Sequence, residues 1–75
     1  MDHDLLADHL EQAEHHVERA NEHIARQTDL IVWLETRGHD ATEAKRLLVL
    51  FREIQVTHIA DRDRLRKLVL GTKPN

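Results

Sequence analysis

"TRGHDATEA", residues 36–44, is the one internal break in a chain of 75 residues, and its reading decides the fold. Gly38 suits the position just past a helix end, where the backbone turns left-handed and a side chain is a burden. Asp40 is then placed to cap a second helix, with Glu43 three residues on completing a capping box. Upstream, Asp2 or Asp4 caps a first helix near residues 4–37. Downstream, a second helix runs near 41–70 until Gly71 and Pro74 end it, with a turn at 38–40 and a tail at 71–75. Each helix is about 45–50 Å long at 1.5 Å per residue. Two such helices joined by a tight turn form an antiparallel hairpin, so residues 1–75 are expected to be one all-α domain.

Composition agrees. Two Gly, one Pro and no Tyr, amid many Ala, Leu, Glu and Arg, favour helix. Residues 1–37 hold nine acids against three bases, and residues 38–75 hold five acids against eight bases. The two halves are therefore complementary in charge and suited to lie side by side. A chain this short builds only a marginal core, and without cysteine neither a disulfide framework nor a thiolate zinc site is possible. Oligomerisation is the remaining source of stability. No apolar run approaches a membrane span and no signal peptide opens the chain, so a soluble, cytoplasmic protein is expected, with no membrane partner.

Apolar spacing sets how the helices meet. Leu6, Leu10, Ala13, Val17, Ala20, Ile24, Gln27, Ile31 and Leu34 form a heptad seam along the first helix. Ala44, Leu47, Phe51, Ile54, His58, Asp61, Leu65 and Leu68 form a second. Folding at the turn pairs residue 34 with 44, 31 with 47, 13 with 65 and 10 with 68, one register for the whole length. Glu14 then faces Arg62, Asn21 faces Gln55 and Leu30 faces Leu50. Gln27, His58 and Asp61 interrupt the seam as polar residues that set register or partner number.

In this register "LIVWL" (30–34) lies beside "LLVLF" (47–51), and both are apolar around the whole helix. The seam buries Ile31, Leu34, Leu47 and Phe51 and leaves Val32, Trp33, Leu48 and Val49 over. Val56 and Ile59 extend a second apolar face. Contiguous patches of this kind mark interfaces, so these six left-over residues are expected at a homodimer contact that makes a four-helix bundle. The alternative occupant is another protein's helix.

Seven histidines invite a metal or haem reading. His9, His16 and His23 recur every seven residues on one ridge, about 10 Å apart along the axis and too distant to share an ion. His15 with Glu11 or Glu18, and His58 with Asp61, have workable helical spacing but give only two ligands each. A site from His15, His16, His23, His58 and Asp61 would have to be assembled between helices or subunits. Otherwise the ridge is solvated, with His58 bonded to a neighbour such as Asp61. No cofactor is expected. Imidazole titrates near neutrality, so charging the ridge would alter assembly between about pH 5 and 7.

No phosphate-cradling glycine loop, nucleophile elbow or thiol nucleophile is present, and no enzyme is expected. The basic stretch "DRDRLRK" (61–67) carries Arg62, Arg64, Arg66 and Lys67 as the candidate nucleic-acid contacts. In architecture a dimeric helical hairpin resembles the RNA-binding Rop-type proteins, but Asp61 and Asp63 interleave the arginines, which favours a solvated, ion-paired face.

Across nearly the whole chain, "HIARQTDLIVWLETRGHDATEAKRLL" (23–48) followed by "HIADRDRL" (58–65) resembles a group of short, uncharacterised bacterial helical-hairpin proteins. That resemblance implies a bacterial, cytoplasmic origin and brings no activity, cofactor or site residues. The expected function is a small non-enzymatic interaction or regulatory module acting as a helical oligomer. A metal- or haem-binding bundle and a Rop-like nucleic-acid binder are the alternatives.

Overall fold

Gly38 adopts φ +73° with nothing within 4 Å of where a Cβ would sit. The surrounding backbone closes a Schellman motif: the His39 N–H donates to the Leu34 carbonyl at 2.9 Å, and the Gly38 N–H to that of Glu35 at 3.1 Å. The computed structural model describes residues 2–72 and contains two helices, α1 (His3–Thr36) and α2 (Thr42–Gly71), packed as an antiparallel hairpin. Pro74 and the end of the tail lie outside the described residues. Helix limits fall one residue from those expected, within the ordinary latitude of helix ends.

The caps divide. Asp2 accepts the Asp4 N–H at 3.1 Å, as its position predicts. Asp40 accepts the Thr42 N–H at 3.0 Å and the Thr42 hydroxyl at 2.6 Å, yet the expected capping box does not form. Ala41 occupies the cap position, so Glu43 is only the second helical residue and sits too early to reach back. It pairs with Arg46 at 2.9 Å instead.

The hairpin measures 60 × 14 × 13 Å, with a radius of gyration of 17.1 Å where a globular chain of this length has about 11 Å. Its core is thin and split. Near the turn Ile31, Ala41 and Ala44 are buried with Leu34 and Leu48 against them. At the open end Leu6, Ala13 and Leu65 are buried with Leu10 and Val69 against them. Ala13 beside Leu65 and Leu34 beside Ala44 match the expected register. The seam of α1 is the expected one: each of its nine positions is buried or half-buried.

The seam of α2 is not. Ala44, Phe51, His58 and Leu65 face α1 as expected, but their intervening partners are Leu48, Gln55, Arg62 and Val69. Leu47, Ile54, Asp61 and Leu68 are exposed instead. Both columns carry apolar residues at their ends, so the polar middle decides. Turning α2 this way keeps Asp61 out of the seam, where an ionised carboxylate would lose its water. It brings in Gln55, whose Nε2 donates to the Val17 carbonyl at 3.0 Å and to Asn21 Oδ1 at 2.8 Å. Gln27 makes a second bridge, donating to the Ala44 carbonyl at 2.9 Å. The same rotation moves Glu14 off Arg62 and onto Arg66, 3.7 Å away.

Candidate helical interface

The rotation of α2 makes the two long faces of the hairpin unlike. One face is laced across the helices by polar contacts: Glu35 with Lys45 at 3.0 Å, Asn21 with Gln55, and Glu14 with Arg66. Val49, Val56 and Ile59 lie on the outer margin of α2 on this side, at helical spacing from Lys45 and Arg66.

The opposite face is an open groove. At mid-length Ala20, Phe51 and Ile54 line a concavity of about 390 Å³ with His16, His23 and His58. Toward the open end it continues past His9, Ala13, Asp61, Leu65 and Leu68. Toward the turn, Leu47 lies seven residues before Ile54 in the same column and Leu50 stands beside both. Leu30 lies seven residues after His23, and with Trp33 and Arg26 it lines a shallow depression on α1. Ile54 is 51% exposed, Leu47 45% and Trp33 46%.

These positions revise the expected interface. Leu48 is not left over: it packs on Ile31 and Ala44 because α2 is turned, and Leu47 takes its place outside. Val32 and Trp33, adjacent in sequence and both exposed, stand about 100° apart on α1, Trp33 on the side of Leu30 and Arg26. Trp33 stacks on His39, centroids 5.8 Å apart, and the Arg37 guanidinium sits 4.4 Å from its ring centre. The turn thus holds the indole while leaving nearly half of it in water. Leu47, Ile54 and Leu68, which spacing assigns to the seam, stand exposed outside it with Leu50 beside them.

The histidines fall into separate settings. His15 lies exposed between Glu11 and Glu18, at 3.8 and 3.7 Å. His23 packs near Phe51 and meets Arg26 at 3.1 Å. His16 and His58 come together across the helices, ring centroids 5.4 Å apart. Asp61 does not bond His58 but accepts from Arg64 at 2.9 Å. Among the described residues no group of three or more His, Cys, Asp or Glu side chains is placed to hold an ion within one chain.

Of the candidate nucleic-acid contacts, Arg62 pairs with Asp63 at 3.0 Å, Arg64 with Asp61, and Arg66 with Glu14. Lys67 lies exposed on α2. Among the described residues, no helix is long and apolar enough to cross a membrane. Comparison with protein-family models, with curated proteins and with solved structures finds no match.

Proposed function

We propose that this chain is a non-enzymatic interaction module that works as a homodimer, with the grooved face of each hairpin seated on that of its twin in a four-helix bundle. The observation that carries the reading is the set Leu47, Ile54 and Leu68, in a column interrupted by the Arg64-paired Asp61 and with Leu50 beside it, left in water along the groove by the rotation of α2. Area supports it. A globular protein of 8.8 kDa exposes about 4,800 Å², whereas this rod exposes 5780 Å². The excess, roughly 1,000 Å², is close to what each partner buries in a standard interface of about 800 Å² a side. One long face, 60 Å by 14 Å, offers that area. A second copy is the occupant because it brings a rod of the same length and the same apolar column, as a two-fold contact requires. A cytoplasmic setting belongs to this reading; a chain without cysteine needs no oxidising compartment.

Sedimentation equilibrium over a dilution series, with a chelator present, tests it. A mass of twice the chain at micromolar concentration is the expected result. A folded monomer at that concentration would overturn it.

A further inference from the structure

His16 and His58 stand on different helices, open to the same groove, with ring centroids 5.4 Å apart and planes at 60°. Two imidazoles bound to one tetrahedral ion, each with a metal–nitrogen distance of about 2.0–2.1 Å, place their centroids roughly 5 Å apart. The centroid separation of the pair is therefore compatible with two ligands of one tetrahedral ion. Within one chain the other half is missing, since among the described residues no third ligand joins it. His15 and His23 are engaged elsewhere, the first by Glu11 and Glu18, the second by Arg26.

Position supplies the rest. His58 lies within two residues of the middle of α2, and His16 within four of the middle of α1. A two-fold dimer formed through this face has its axis either along the helices or across them. An axis along the helices sets every level of the hairpin against the same level of its twin. An axis across them reverses the twin, and then only residues near mid-length meet their own copies. The His16–His58 pair meets its counterpart in the first arrangement, where like levels face each other. In the second it does so only where the axis crosses at the level of the pair. An axis at the centre of α1 would leave His16 about 10 Å along the rod from its copy.

We propose that two copies complete a four-histidine transition-metal site on the dimer axis, with His16 and His58 of each chain as ligands. The proposal rests on the self-association reading above. Neutral imidazoles suit zinc, copper and nickel, and a tetrahedral set suits zinc. The ligand pair comes from both helices, so a bound ion would fix the contact between the hairpins as well as the packing within each.

The test uses the full chain purified without a histidine tag and stripped of metal. Zinc chloride is titrated in by calorimetry, and mass is followed by sedimentation with zinc and with chelator. The expected result is one zinc per two chains and at least a tenfold tighter dimer in zinc. His16→Ala and His58→Ala should each remove that binding, while His15→Ala, of the same composition, should keep it. His16 is exposed, so its loss leaves the fold intact, which circular dichroism checks. Zinc at one or more per chain would overturn the site, as would binding that survives both His16→Ala and His58→Ala. A chelator-resistant dimer that binds no zinc would sink the site and leave self-association standing. A monomer in both conditions would sink both. A chain that is monomeric in chelator and dimeric only with half an equivalent of zinc supports the site and removes the claim that the apolar face suffices.

Discussion

The two long faces of this hairpin are built from the same two helices and differ in how they satisfy them. On one, charged and amide side chains reach across and close the helices together: Glu35 with Lys45, Asn21 with Gln55, Glu14 with Arg66. On the other, histidines and leucines stand along an open groove. The closed face pairs its polar groups locally, although Val49, Val56 and Ile59 stay wet at its outer margin. An open apolar face gains free energy only when something covers it, at about 25 cal/mol per Å² of apolar surface removed from water. The contrast marks the groove as the face lined by unpaired apolar side chains.

The strongest way to break the contrast is to place a charge on each face in turn. Ile54→Glu puts a carboxylate in the groove and should raise the dimer dissociation constant at least about 100-fold, some 3 kcal/mol, read by sedimentation. Val56→Glu, two residues away on the other face and 68% exposed, should leave the mass unchanged. Equal effects from the two substitutions would mean that the faces are not distinct.

Both faces depend on the turn that sets the register. Gly38→Ala meets no neighbour but must hold a left-handed φ, and should cost about 1–2 kcal/mol, read from urea unfolding. On the closed face, Glu35→Gln removes an exposed ion pair with Lys45 and should cost less than about 1 kcal/mol, with the difference vanishing in high salt. The smallest effect is expected at Asp40. Its carboxyl is held below the usual range by the Thr42 hydroxyl and the Thr42 N–H, assisted by the charge of Lys45. A carboxyl lowered in the folded state adds stability that is complete above its unfolded value, about 3.9. That stability is lost as pH falls through the lowered folded value. Asp40→Asn should flatten this acid limb of a melting-temperature profile and barely move the neutral one.

Much of the fold was legible because only one solution existed. Gly38 could sit nowhere but past a helix end, and the α1 stripe from Leu6 to Leu34 has no competing neighbour column. The rotation of α2 was not legible, because Leu47 and Leu48, and again Leu68 and Val69, offer apolar residues to either solution. Period alone cannot choose between such columns. The choice falls to Gln55 and Asp61, and depends on bonds to Val17 and Asn21 that exist only once the helices are paired. The candidate site inherits the same division. The His9, His16, His23 ridge follows from spacing, whereas the meeting of His16 with His58 needs the rotation and the register together.

The split core also bears on how the chain folds. The cluster near the turn joins Ile31 to Ala44, thirteen residues apart, whereas the one at the open end joins Leu6 to Leu65, fifty-nine apart. Closing the longer loop from an unfolded chain costs about 1.3 kcal/mol more in entropy than closing the shorter. The hairpin is thus expected to zip from Gly38 outward. Its open end then assembles last and frays first, so Leu6 and Leu65 part before Ile31 and Ala44 do.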